Sequence, residues 1–188
     1  MISLKDAAKR NYNNIFVIGR FQPLHKGHMQ MLSNAFNIIW PDEMTVIVGN
    51  SGKISARNPM TMEQVVRQFE VLEIPASWDI LKDNEDWDLW YEDLMKIIMP
   101  SSLGIHGLLC PCKDADTTSY LYWIEEKFKN SFDSYMHLDF IKIEDISNIN
   151  ASDIRNGMYG KDLDLIPSHI LDERLKNYLK TNHIQIFG

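Results

Sequence analysis

Short apolar runs alternate with longer stretches whose apolar residues recur three and four positions apart. Ile15, Phe16, Val17 and Ile18 make a continuous apolar run, the pattern of a strand buried on both faces, and residues 28–39 follow with helical spacing. The alternation then repeats. A strand is predicted at residues 44–48, closed by Gly49-Asn50, followed by a polar, glycine-containing loop at 51–59. Thr61-Met62-Glu63-Gln64 has the form of a capping box, Thr as N-cap and Gln three residues on, and opens a helix running to about Glu73. Beyond it the pattern predicts a short strand at 78–81, a helix at 89–99, a strand at 105–110, a helix at 119–128 and a strand at 137–143. A short helix at 151–156 and a longer one at 167–179, with Pro167 at its start, complete the series. Strands alternating with helices imply right-handed crossovers, and so an α/β fold of Rossmann-like type with a parallel sheet flanked by helices. The 188 residues are expected to form a single domain, 1–188, with a small C-terminal helical subdomain from about residue 148.

Composition narrows this picture. A hydrophobic fraction of 45% and an aromatic fraction of 11% suffice for a core. The formal net charge of −7 argues against a general nucleic-acid binder, which would show a basic face. It leaves room for a small anionic substrate, because a local cluster of Arg and His outweighs the global sign. Residues 1–10 are polar and charged and lack the apolar segment of a secretory signal, and no apolar run is long enough to cross a membrane. No membrane partner is expected. Cys110 and Cys112, separated by one residue and with no second pair, suit neither a zinc site nor an ordinary disulfide, so reduced thiols and a cytoplasmic location are expected. Five Trp and ten Met allow a homo-oligomer without locating its interface.

The chemistry concentrates where the first strand meets the first helix, in Gly19-Arg20-Phe21-Gln22-Pro23-Leu24-His25-Lys26-Gly27-His28. Beyond a strand's carboxyl end, at a helix N-terminus, open α/β sheets bind phosphate. Imidazoles held there donate to phosphate oxygens. Pro23 stiffens the turn, and Gly27 has no Cβ to keep a phosphate from the backbone. A second cluster, Ile146-Ser147-Asn148-Ile149-Asn150-Ala151-Ser152-Asp153-Ile154-Arg155, reads by itself as an ordinary helix cap with a surface arginine; beside the first cluster it reads as a helix N-terminus whose N–H groups, Ser152 hydroxyl and Arg155 hold phosphate oxygens. Arg57, on the loop after the second strand, is either a clamp for a transferring phosphoryl group or a solvated charge, and Arg67 reads as a surface charge. Trp78, Trp87, Trp90 and Tyr91, near Asp83 and Asn84, are core aromatics or, for Trp90, a platform for a flat cationic ring. Lys113 to Tyr120, after the fourth main strand, is either a loop at another carboxyl end of the sheet that faces the same crevice or a charged turn capping a helix at Asp116 or Thr117. There is no G-x-x-x-x-G-K-[ST] loop, no G-x-G-x-x-G, no nucleophile elbow and no His/Cys metal spacing, which counts against a phosphate-loop kinase, a dehydrogenase, a covalent hydrolase and a protein-bound metal.

These motifs resemble a known family. GRFQPLHKGH resembles the histidine signature of the HxGH nucleotidyltransferase superfamily, with the Arg-Phe-Gln-Pro opening seen in nicotinamide-nucleotide adenylyltransferases. INASDIR is similar to that family's I-S-x-T-x-I-R signature, and ARNPMT to its Arg-x-Pro-Phe-Thr loop. KDADTTSY resembles the Lys-Asp-Glu-Ser-Ser-Tyr stretch of the bacterial branch whose adenylyltransferase domain is fused to a Nudix hydrolase; no Nudix box follows here, so that second activity is expected to be absent. The order is the family's, over about residues 14 to 180.

The resemblance implies a nucleotidyltransferase fold and adenylyl transfer: ATP plus nicotinamide mononucleotide gives NAD and pyrophosphate. It implies that His25, His28, Arg20 and Arg155 carry the chemistry. Gly19, Phe21, Gln22, Gly27, Arg57, Ser152 and Ile154 would line the ATP phosphates. Trp90, Asp83 and Asn84 would take the nicotinamide nucleotide. Magnesium would bridge the ATP phosphates and keep its waters. Transferases for nicotinate mononucleotide, phosphopantetheine or a phospho-alcohol, a non-catalytic nucleotide sensor and a purely structural protein remain the alternatives.

Overall fold

The run at 15–18 lies inside a strand, as its pattern predicts. A computed structural model describes all residues except 41, 51, 100–103, 113, 114, 132–136, 145–148, 150, 161, 162 and 188, and only the backbone of 50, 115–118, 144, 153, 157–160 and 183–187. Among the described residues the order is β1 (Ile2–Ser3), α1 (Leu4–Ala7), β2 (Asn14–Gly19), α2 (Lys26–Ile39), β3 (Glu43–Asn50), α3 (Met62–Val71) and β4 (Ser77–Lys82). There follow α4 (Trp87–Ile98), β5 (Ile105–Cys112), α5 (Ala115–Ser131), β6 (His137–Glu144), α6 (Ala151–Gly160), a 3-10 turn (Leu163–Leu165) and α7 (Glu173–Phe187). None of these helices is long and apolar enough to cross a membrane.

The chain folds into two units. The first comprises Met1–Gly19, Met31–Gly49 and Ala76–Asp145. It holds a six-stranded parallel sheet in the order β1-β6-β5-β2-β3-β4. Its registers include Phe16 opposite Thr45 and Leu108, and Leu108 opposite Phe140. From β2 the chain moves to β3 on one side, while β5 enters on the other, so the order reverses at β2 and β5. Phe16, Ile47, Leu108 and Phe140 of the sheet pack with Leu94 and Ile98 of α4 and Leu121, Ile124 and Phe128 of α5 in the core. Gly107 is required there: a Cβ would lie 2.5 Å from Ile15 Cδ1 and 2.6 Å from Ile141 Cδ1. β1 and α1 were outside the predicted pattern, since a two-residue strand shows no period. β1 forms by pairing Ile2 with Ile141, and Ser3 caps α1 by accepting from Asp6 N–H. Cys110 and Cys112 are free thiols, and burial pushes the Cys110 thiol far above its usual range.

The second unit comprises Arg20–Gln30, Asn50–Pro75 and Ile146–Gly188, and so contains the first turn of α2 with α3, α6, the 3-10 turn and α7. The capping box of α3 is present, with Thr61 and Gln64 bonding reciprocally. Arg67 pairs with Glu70 on its exposed face. The last helix corrects the pattern. It starts at Glu173, not at Pro167, because Pro167 closes a separate turn in which its carbonyl accepts from Ile170 and Leu171 N–H. Asp172 then stands at the N-cap position, its carboxylate accepting from Arg174 N–H at 2.9 Å and its carbonyl from Lys176 N–H at 2.8 Å.

Candidate functional site

The chain leaves β2 at Gly19 and enters α2 at Lys26. His25 precedes the helix and serves as its cap: its Nδ1 accepts from His28 N–H at 3.4 Å, and its carbonyl accepts from Met29 N–H at 3.1 Å. With Nδ1 accepting, the neutral ring of His25 carries its proton on Nε2. The two imidazoles stack face to face, centroids 3.7 Å apart and planes 25° apart. His25 is buried, and His28 is half-buried, with its Nδ1 sealed from water and without a hydrogen-bond partner among the described residues. Burial, seconded by the neighbouring His25, holds His28 well below the usual 6.5, so the ring is neutral at neutral pH.

Cationic groups of the same unit gather on this turn. Arg155 of α6 donates from Nη1 to Gln22 O at 3.0 Å and from Nη2 to Ser152 Oγ at 2.8 Å, joining the second sequence cluster to the first. Arg20 Nη1 donates to Asn58 Oδ1 at 3.1 Å, and Asn58 is buried in the loop that carries the exposed Arg57. Gln22 clamps that loop, its Oε1 accepting from Met60 N–H at 2.9 Å and its Nε2 donating to Met60 O at 3.4 Å. Lys26 donates its N–H to Ile170 O at 3.0 Å, and its Nζ lies 3.1 Å from Asp172, which ties α7 to the histidine turn.

Of the residues the sequence singled out, Arg20, Phe21, Gln22, His25, Gly27, His28, Arg57, Ser152, Ile154 and Arg155 belong to this unit. Phe21 and Ile154 are buried, and Phe21 has the left-handed φ of 50°. Gly19, Asp83, Asn84 and Trp90 belong to the sheet unit. There Asn84 Oδ1 accepts from Asp86 N–H, and Trp90 packs against Trp87 at 5.8 Å. Trp87 and Tyr91 also meet Trp123, over which Lys127 sits at 5.1 Å. Lys113, Asp114, Ile146, Ser147, Asn148 and Asn150 lie outside the described residues, as do the side chains of Asp116, Thr117 and Asp153. Sequence reasoning included Asn58 in the Arg57 loop without giving it a role, and missed Gln68 and Asp172. Gln68 carried a signal, a polar residue among Val65, Val66 and Phe69 on the buried stripe of α3.

The sheet order, reversing at β2 and β5, and the histidine turn define a nucleotidyltransferase-like α/β fold. Residues 16–157 match the Cytidylyltransferase-like family, and the chain belongs to it. The fold is shared with a bifunctional NMN adenylyltransferase/ADP ribose pyrophosphatase from Francisella tularensis, at a TM-score of 0.73 and 20% identity over 93% of this chain and 51% of that one. A second structure of that protein, complexed with AMP and Mn ion, matches at 0.72 and 20% over 93% of this chain and 50% of that one. NadR protein in complex with NAD and AMP-PNP matches at 0.55 and 17%, over 78% of this chain and 42% of that one. This chain therefore spans about half the length of the first structures it matches, and at these identities the likeness is one of fold.

Proposed function

We propose that the chain transfers the adenylyl group of ATP to nicotinamide mononucleotide, releasing pyrophosphate and giving NAD. The observation that carries this reading is the gathering of a stacked imidazole pair and the Arg155 guanidinium on one turn at a helix N-terminus. The ordered set of motifs and the adenylyltransferases that share the fold support it. In the reaction an oxygen of the acceptor's phosphate bonds to the α-phosphorus of ATP as the bond to the pyrophosphate oxygen breaks. The acceptor is already an anion, so the work is alignment and neutralisation of charge. His25 and His28 would donate to the ATP phosphates. Arg20 would meet the triphosphate or the attacking phosphate, Ser152 and Arg155 would hold the β- and γ-phosphates, and Arg57 would close over the leaving group. An anion approaching His28 raises its proton affinity, so positive charge develops together with the phosphate. Trp90 would stack on the nicotinamide ring, with Asp83 and Asn84 beside it in sequence.

Among the described residues no three His, Cys, Asp or Glu lie close enough to hold an ion. Magnesium would enter with ATP as part of the substrate complex and would neutralise charge on its phosphates. The test is pyrophosphate release with ATP and magnesium, comparing nicotinamide mononucleotide, nicotinate mononucleotide and phosphopantetheine, with products weighed by mass spectrometry. The fastest turnover is expected with nicotinamide mononucleotide. Fastest turnover with another acceptor would overturn the acceptor assignment, and ATP binding without turnover would make the chain a nucleotide sensor.

A further inference from the structure

We infer that Gln68 is a positioning residue for the histidine pair: from α3 it holds residues 21–24 in the backbone course that seats Phe21 against His28. This rests on the reading of His25 and His28 as phosphate ligands. Gln68 is 0% exposed, and a buried amide must find partners inside the protein. Its Nε2 donates to Phe21 O at 2.9 Å and to Val65 O of its own helix at 3.3 Å, and its Oε1 accepts from Leu24 N–H at 2.8 Å. The two bonded groups of the turn bracket Gln22-Pro23. Immediately before the first of them lies the left-handed φ of Phe21, a conformation that a residue with a Cβ keeps only where its surroundings enforce it.

That course aims the Phe21 ring at two neighbours. It meets Phe69 edge-on at 5.2 Å and His28 edge-on at 5.0 Å. Gln68 and Phe69 are adjacent on α3, so one helix grips both the backbone and the ring of Phe21. His28 in turn stacks on His25. Without the amide, Phe21 O and Leu24 N–H would be buried without partners, and Phe21 would relax toward negative φ and withdraw its ring from His28.

Gln68→Met keeps the size and removes both bonds to the turn. In the folded variant, the His28 imidazole titration, followed by proton NMR in ligand-free protein, should move up toward 6.5 as the ring loses its cover. Turnover should fall about a hundredfold, the scale of a misplaced catalytic contact, with the KM for the pyridine nucleotide unchanged. Gln68→Glu supplies a second signature. Its ionised carboxylate accepts from Leu24 but cannot donate to Phe21 O, whereas the protonated acid does both, so its turnover relative to the native protein should rise on acidification. Should the Met variant not fold, the Glu variant carries the test. A folded Gln68→Met protein whose His28 titrates as in the native chain overturns the inference, as does a Glu variant whose relative turnover is flat with pH. The titration needs no substrate, so it decides this claim even if the native chain turns over none of the acceptors.

Discussion

His28 is held in its neutral form by its surroundings. Burial and His25 depress its proton affinity, so the unfolded chain takes up a proton near pH 6.5 where the folded chain does not. Folding stability should therefore be fully present above 6.5 and decline as the pH falls below it toward the lowered folded value. Urea midpoints of the native protein should drop between pH 7.5 and 5.5, and His28→Leu should flatten that drop; an equal slope in both proteins would refute the burial argument. His28→Ala should also lower kcat by about 10²–10³-fold while the fold survives, the usual cost of removing one donor to a charged transition state. Arg20, His25 and His28 were legible because they fall on one strand-to-helix junction. The roles of Asn58 and Gln68 were not, because the groups they hold lie 38 to 47 residues away in the chain, and only the folded backbone brings them together.

At the scale of elements, the strands with continuous apolar runs and the helix with a capping box followed from local physics, and the sheet from their alternation. The start of α7 did not. Pro167 has the φ of a first helical residue, but the competing cap at Asp172, coupled to Lys26, places the start at Glu173. Asp172→Ala should cost about 1–2 kcal/mol in chemical denaturation, the range for a lost N-cap. Asp172→Asn keeps a capping oxygen and loses only the charge that faces Lys26 and Arg174, so it should cost less. Equal losses would mean that the ion pair, not the cap, matters.

For the chain as a whole, the net charge of −7 gave no hint of an anion site, because the relevant Arg and His side chains are few and are gathered locally by the fold. The aromatic group around Trp90 was legible as aromatic, but its role was not, since the spacing of Trp87, Trp90 and Tyr91 serves a core and a stacking platform equally. Trp90→Ala should raise the KM for the pyridine nucleotide more than that for ATP, and equal changes would remove Trp90 from recognition. The central claim is that the α-phosphorus of ATP is the atom attacked. ATP labelled at either the α- or the γ-phosphate, incubated with nicotinamide mononucleotide and magnesium, tests it most directly. The account predicts α-label in the dinucleotide and γ-label in pyrophosphate. Label from the γ-position in the organic product, with ADP released, would contradict it.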